Sequence, residues 1–293
     1  MLTSPPLERA GKRPGTSPTR RPPRSLKQEY QEFILQRLEE YKNGLPRERL
    51  LEIGDEAVRE LQTSAQDQYL LTEVLLLEHV DRIIARRLRL PSFPRWRQKH
   101  RALREAQREP THWGLERTHP VVTWASRLEP GDLVVVLGAS ALSEALFLAA
   151  HDAEVFLLDQ DLGAVEAAEG RAVNEQLAAT FQALVITYGS WFPDLSPTLV
   201  AIAAGSLAQV RAKDRVALIG DLQARTQTGG VHVVLPAEST SGSRGDVISL
   251  GPEALQSLYR GWQVQRAGSR TKRGGFAAIK PPRQVDTVRN VSE

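Results

Sequence analysis

A series of short, wholly apolar segments that alternate with helical segments constrains the fold of this chain more than any other feature. Five segments are rich in β-branched residues: LVVVL at 133–137, EVFLL at 154–158, ALVIT at 183–187, LVAIA at 199–203 and VHVVL at 231–235. Strands that are apolar on both faces are typical of a parallel sheet covered by helices on both sides. Helical periodicity at 142–151, 164–178 and 210–226 fills most of the intervals. We therefore predict a doubly wound α/β domain.

The end of the chain departs from this alternation. After a helical segment at 253–259, strand-like segments at 262–267 and 275–280 are joined by the polar sequence GSRTKRG. A short polar connection between two strands indicates an antiparallel hairpin. The predicted fold class is thus α/β, with a doubly wound, Rossmann-like, mostly parallel sheet that ends in an antiparallel C-terminal hairpin.

The residues before the sheet have helical periodicity. We predict a helix from Ser25 to the Asn43-Gly44 stop, a second that begins at Pro46, a third from about residue 67 to 88, and a basic fourth at 95–108. Pro91 and Pro94 are expected to end the third helix.

These segments give the predicted domain organisation. Residues 1–25 hold six prolines and few large apolar side chains, which is typical of a disordered tail. An α-helical N-terminal region at 26–110, the α/β domain at 111–281 and a C-terminal tail at 282–293 follow.

The net charge of +3 conceals a strong segregation of charge. Residues 82–108 carry ten basic and one acidic side chain, whereas residues 109–265 carry nine basic and eighteen acidic ones. Two interpretations of the basic segment remain open. It contacts nucleic acid, with cations on phosphates and Phe93 and Trp96 stacked on bases, or it packs on the acidic α/β domain. The cations of the nucleic-acid interpretation are Arg86, Arg87, Arg89, Arg95, Arg97, Lys99 and Arg101.

The absence of cysteine excludes several classes of protein. A disulfide scaffold, a thiolate nucleophile, a cysteine-ligated zinc site and an iron–sulfur cluster all require this residue. No segment has the length and apolarity of a membrane span, and the N-terminus lacks the apolar run of a secretory signal. We therefore expect a cytoplasmic protein.

Two residues mark a candidate ligand site. In open α/β sheets, ligands bind beyond the carboxyl ends of the strands, and Gly138 lies in the turn LGASALSEA that follows the first strand. Asp159, twenty-one residues later, ends the second strand, where a carboxylate can accept hydrogen bonds from both hydroxyls of a ribose. The alternatives are a turn glycine at 138 and a helix N-cap at 159.

The order of these elements resembles the class I S-adenosylmethionine-dependent methyltransferases over residues 112–281. VVVLGASAL looks like the first motif of the family, and VFLLDQDLGAVEAA is similar to its second strand with an acidic ribose ligand. TQTGGVHVVLP looks like the turn into the fifth strand. GWQVQRAGSRTKRGGFAAIKP resembles the reversed terminal hairpin that separates this family from nicotinamide-binding sheets.

The resemblance implies a methyltransferase with S-adenosylmethionine as its cofactor, an unidentified acceptor, and a helical N-terminal region that helps to choose that acceptor. The implied cofactor-binding residues are Gly138, Ala139, Ser140, Leu142, Asp159, Gln160, Ser190 and Trp191. Trp191 either stacks on the adenine or belongs to the core. We predict no metal site, and no residue is nominated as a catalytic base.

The first motif departs from the family pattern, and this keeps two other functions open. Val136 replaces an acidic residue, Ser140 and Leu142 replace glycines, and the fourth strand runs into AAGSLAQ instead of the motif of base-modifying methyltransferases. One alternative is a catalytically inactive, methyltransferase-like scaffold or binding protein. The other is a nicotinamide-dependent oxidoreductase, which Ser140, Ser143 and the terminal hairpin disfavour.

Overall fold

The computed structural model describes residues 25–64, 73–188, 192–235, 252–267 and 275–282. The predicted N-terminal tail and almost all of the predicted C-terminal tail lie outside these residues, as do Ser190 and Trp191 and the start of the predicted third helix. Within the described part, no helix is both long enough and apolar enough to cross a bilayer.

Four helices form the N-terminal region: α1 (Leu26–Asn43), α2 (Arg47–Ser64), α3 (Glu73–Arg87) and α4 (Phe93–Gln107). The side chain of Ser25 caps α1, and Gln28 completes a capping box. Buried side chains from α1, α2 and α3 form one small core: Leu38, Ile53, Ala57, Ile83 and Ile84. The prediction that Pro94 ends the third helix was wrong. Pro94 lies in the first turn of α4, where its missing N–H has no cost.

In its described residues, the α/β domain holds seven strands: β1 (Leu133–Leu137), β2 (Glu154–Asp159), β3 (Phe181–Val185), β4 (Leu199–Ala203), β5 (Val231–Leu235), β6 (Gln263–Ala267) and β7 (Gly275–Ile279). Its helices are α5 (Pro120–Ala125), α6 (Leu142–Ala150), α7 (Leu162–Asn174), α8 (Ala204–Gln209), α9 (Ala212–Arg225) and α10 (Pro252–Leu258). The strand order is β3-β2-β1-β4-β5-β7-β6, and β7 alone runs antiparallel to its neighbours. The predicted fold class is confirmed, including the reversed hairpin at the end of the sheet.

Alternate side chains of β1, an interior strand of the sheet, enter two separate cores. Val134 and Val136 pack with α5, α6 and α7, whereas Val135 and Leu137 pack with α8, α9 and α10. All four are fully or almost fully buried, which explains why the strand is apolar throughout.

Two segments differ from the prediction. β3 begins two residues earlier than predicted, because Phe181 pairs with Val155 at the start of β2 and thereby sets the register. The helix predicted at 210–226 is preceded by the unpredicted α8. Val210 and Arg211 have extended backbone that separates α8 from α9.

The second core contains a buried polar network around His232. Its Nε2 lies 2.7 Å from Thr226 Oγ1, which donates to the Leu222 carbonyl, and its Nδ1 lies 2.9 Å from the Tyr259 hydroxyl. The neutral Nε2–H form satisfies every partner, since Nε2–H donates to Thr226 and Tyr259 donates to Nδ1. Burial, followed by the charge of Lys280, lowers the pKa of His232 to about 3.

This network predicts a loss of stability in acid. Below the ordinary histidine pKa of 6.5, His232 is protonated in the unfolded chain but stays neutral in the folded chain. The free energy of unfolding therefore falls as the pH is lowered. His232 should contribute roughly 1.4 kcal/mol per pH unit between about pH 6 and pH 4. Chemical denaturation at several pH values in this range measures the free energy of unfolding of the native protein and of His232→Gln. If this free energy has the same slope against pH in the two proteins, the prediction is contradicted.

Candidate functional site

The turn after β1 brings the ends of three strands together. Gly138 has φ 98° and ψ 125°, a conformation that residues with a side chain rarely adopt. Its N–H donates to the Leu158 carbonyl at 2.9 Å, so the turn is attached to the end of β2. A single 3-10 turn, Ala139–Ala141, then leads directly into α6.

Asp159, at the carboxyl end of β2, faces this turn. Its Oδ2 accepts the Ala139 N–H at 2.6 Å and its Oδ1 accepts the Asp161 N–H at 2.9 Å. The side chain is half-buried. The expected meeting of this carboxylate with the glycine turn is therefore observed. The alternative that Asp159 caps the next helix is wrong, because Asp161 caps α7 by accepting the Ala164 N–H.

The turn also contacts the start of α8, which follows β4. A Cβ atom at position 138 would collide with the Ser206 hydroxyl and would lie 2.9 Å from Ser206 Cβ and 3.0 Å from Ala203 Cβ. The close approach that Gly138 permits is therefore made by Ser206. Ser206 is not among the predicted site residues. The run of small residues at 203–206, AAGS, permits a close approach but does not indicate that position 138 makes it.

Tyr188 lies on the same edge of the sheet, just beyond β3. Its hydroxyl donates to the Leu158 carbonyl at 3.3 Å and is hydrogen bonded to Ser206. Burial, and then the negative charge of Asp159, raise the pKa of Tyr188 well above its usual value. The hydroxyl therefore stays protonated at physiological pH and serves as a donor, not as a base.

The other predicted site residues lie beside these contacts, against the core or outside the described residues. Ser140 and Gln160 are exposed beside the turn and beside Asp159, respectively. Leu142 is half-buried and packs against the core, whereas the predicted adenine contacts Ser190 and Trp191 lie outside the described residues. The roles of these residues in binding a cofactor stay predictions.

The two histidines near the start of the domain serve structural roles. His119 Nδ1 accepts the Val121 N–H and caps α5, and its Nε2 lies 3.4 Å from Glu144. His112 Nε2 lies 3.6 Å from Glu175. In the described ranges, no group of three or more metal-binding side chains is assembled.

The site combines three features at the point where the strand order reverses between β1 and β4. It has an oriented carboxylate, a glycine turn, and a protonated tyrosine hydroxyl. Each oxygen of Asp159 holds one backbone N–H and can accept a second hydrogen bond. This arrangement suits a ligand with two neighbouring hydroxyl groups, and its position is where open α/β sheets bind ligands.

Comparison with known proteins gives fold-level similarity only. No protein-family model matches the sequence, and no curated protein has a significantly similar sequence. Among solved structures, the glycopeptide N-methyltransferase MtfA with S-adenosyl-L-methionine aligns at 15% identity and a TM-score of 0.45, over 57% of this chain and 95% of that chain. The N-methyltransferase NodS from Bradyrhizobium japonicum aligns at 13% identity and 0.42, over 64% and 97%. A putative rRNA methylase from Clostridium thermocellum aligns at 16% and 0.44, over 55% and 93%.

The contact between the turn and α8 predicts the cost of a side chain at position 138. Gly138→Ala should lower the free energy of unfolding by about 3 kcal/mol or more, since the methyl group adds a collision with Ser206 to backbone strain. Gly229→Ala is the matched control. Gly229 has φ 78° and open space where the added methyl group would lie, so this substitution should cost only the strain, roughly 1 to 2 kcal/mol.

The double variant Gly138→Ala/Ser206→Gly separates the two contributions. Removal of the Ser206 side chain should recover the steric part and leave the strain. Urea denaturation measures the free energy of unfolding of the native protein and of all three variants. Equal costs for Gly138→Ala and Gly229→Ala would show that the turn and α8 are not packed as described.

Proposed function

We propose that this protein binds S-adenosylmethionine at the carboxyl edge of its sheet and transfers the methyl group to an acceptor. The observation that carries the proposal is the Asp159 carboxylate, which is fixed against the turn after β1 by the Ala139 N–H. This is the position at which the sequence resemblance expects the ribose ligand.

The fit to the cofactor is direct at Asp159. Two backbone donors hold the carboxylate in one orientation, and its remaining acceptor capacity matches the two hydroxyls of a ribose. Ser140, Gln160 and the adjoining backbone lie next to this carboxylate or the glycine turn in the chain and line the proposed path of the cofactor. At Gly138 the space is tight, because any ligand atom on that side of the glycine has to displace Ser206.

The site favours a mechanism in which the protein aligns the methyl group with the nucleophile of the acceptor. When bound, S-adenosylmethionine supplies an electrophilic methyl group. Transfer to a positioned nucleophile requires a general base only if the acceptor must lose a proton. Tyr188 does not meet that need at physiological pH, since its hydroxyl remains protonated. Its single hydroxyl proton is donated to the Leu158 carbonyl, so its role in the proposal is to hold the end of β2 at the edge of the site.

Calorimetry with S-adenosylmethionine and with its demethylated product tests the proposal. We expect micromolar binding of both. Asp159→Ala should weaken binding at least tenfold, because the ribose hydroxyls lose a charged acceptor and each such hydrogen bond is worth about 1.5 to 3 kcal/mol. The matched control is Glu166→Ala, which removes an exposed carboxylate on α7 that does not contact Asp159, and should leave the affinity unchanged.

Two outcomes would overturn the proposal. If neither compound produces heat, the protein is a scaffold with the fold of a methyltransferase. If NADH binds instead, the site belongs to an oxidoreductase. Thermal unfolding of each variant distinguishes lost binding from lost folding.

A further inference from the structure

The basic segment of the sequence divides into paired and unpaired cations. Arg86 donates to both carboxylate oxygens of Glu60, at 2.8 and 2.7 Å, and Arg87 is paired with Glu56. These two arginines therefore attach α3 to α2. The prediction that the basic segment packs on the acidic α/β domain does not describe this pair, because both carboxylates lie on α2.

Four exposed cations on α4 differ from Arg86 and Arg87 in their lack of an acidic partner among the described residues. Arg95, Arg97, Lys99 and Arg101 are exposed, and none forms an ion pair with any residue of the described ranges. The guanidinium of Arg97 lies 5.7 Å from the centroid of the Phe93 ring. At 3.6 residues per turn, Arg95 and Lys99 lie on one flank of α4 and Arg97 and Arg101 on the other, with the exposed Gln98, Ala102 and Glu105 between them. Together the two pairs of cations form the basic face.

The opposite side of α4 holds the helix in place. Trp96 is buried against Tyr30 and Phe33 of α1 and stacks on His100. Gln107 donates to the Glu175 carbonyl at 2.8 Å, and Arg104 donates to the Gln176 carbonyl at 3.3 Å. The helix is therefore fixed between α1 and the end of α7, and the basic face points to solvent.

The basic face is unfavourable for the helix that carries it. Arg95 and Lys99 are four residues apart, as are Arg97 and Arg101, so each pair places like charges next to each other. Two of these cations lie within the first five residues of α4, where the helix dipole is positive, and the first turn has no acidic residue. A dense negative partner would relieve this repulsion.

We propose that the basic face binds the phosphate backbone of a nucleic-acid duplex. A duplex carries about one negative charge per 1.7 Å of its axis, and cations on both flanks of a helix can neutralise phosphates of its two strands with release of counterions. Arginine also suits phosphate, because its planar fork can donate two parallel hydrogen bonds.

The burial of Trp96 limits the mode of binding. Trp96 is 4% exposed, so its ring is not available to stack on a base, whereas Phe93 is half-buried against Tyr30 and Trp96. The expectation that both rings stack on bases is therefore wrong for Trp96 and stays a prediction for Phe93. Binding should depend on the backbone and should be insensitive to sequence.

A membrane surface fits the basic face less well. Helices that lie in a membrane interface insert a large apolar face beside their cations. On α4 the large apolar side chains are turned inward, and the exposed neighbours of the four cations include Gln98 and Ala102. The end of α4 contacts Ala150 and Glu175, just before β2 and β3, so the helix lies toward the amino ends of these strands, whereas Asp159 lies at the carboxyl edge. The proposal is thus independent of methyl transfer.

The experiment measures binding of the full chain to labelled 20-base-pair RNA and DNA duplexes by fluorescence anisotropy at several salt concentrations. We expect binding to both duplexes that weakens steeply with salt and is similar for unrelated sequences. The variant Arg95→Gln/Arg97→Gln/Lys99→Gln/Arg101→Gln should lose at least tenfold in affinity. The magnitude of the slope of log K against log salt should fall by about 3.6, since each of the four neutralised phosphates contributes roughly 0.9.

The matched control is Arg47→Gln/Arg49→Gln/Lys213→Gln/Arg260→Gln, which removes four exposed cations elsewhere and changes the net charge equally. It should retain most of the affinity. Circular dichroism should show that the α4 variant is folded, because the substitutions relieve repulsion between like charges.

Three results would overturn the proposal. An equal loss of affinity in both variants would show that only net charge matters. Binding to polyglutamate as tightly as to the duplexes would indicate an acidic protein partner. Binding to vesicles with phosphatidylserine, without binding to either duplex, would indicate a membrane surface.

Discussion

The hydrogen bond from the Ala139 N–H to the Asp159 carboxylate is the interaction on which the candidate site depends. It attaches the turn after β1 to the end of β2 and places the carboxylate where the strand order of the sheet reverses. Without a partner, a half-buried carboxylate would turn toward water. With two backbone donors, it stays at the edge of the sheet and can accept further hydrogen bonds. The buried parallel sheet supplies the rigid frame that keeps the two strand ends together.

Most of the sheet could be predicted from the sequence because its strands are buried on both faces. The observed bounds of β1, β4 and β5 are the predicted ones, since a run of β-branched residues between polar turns leaves little freedom in where such a strand begins and ends. The reversed terminal hairpin was also predicted, from the polar connection between its two strands. The sequence also predicts that Gly138 and Asp159 lie close together, because both residues lie at the carboxyl ends of neighbouring strands.

The remaining features depend on contacts between segments that are distant in the chain. The packing of Ser206 on Gly138 joins the ends of β4 and β1, and nothing in the local pattern at 206 marks it as a neighbour of 138. The start of β3 is set by pairing with β2 and not by its own apolar run. Likewise, Arg86 and Arg95 are equivalent as far as local sequence is concerned. Only the packing of α3 on α2 shows that the first is paired and the second is not.

A titration of ¹⁵N-labelled protein with S-adenosylmethionine, followed by NMR, tests the central claim most directly. The Ala139 and Asp161 N–H groups both donate to the carboxylate that is proposed to bind the ribose. Their resonances should shift in a saturable manner, while those of α4, near the opposite edge of the sheet, should not move. Unchanged resonances at both amides under saturating cofactor would contradict the account.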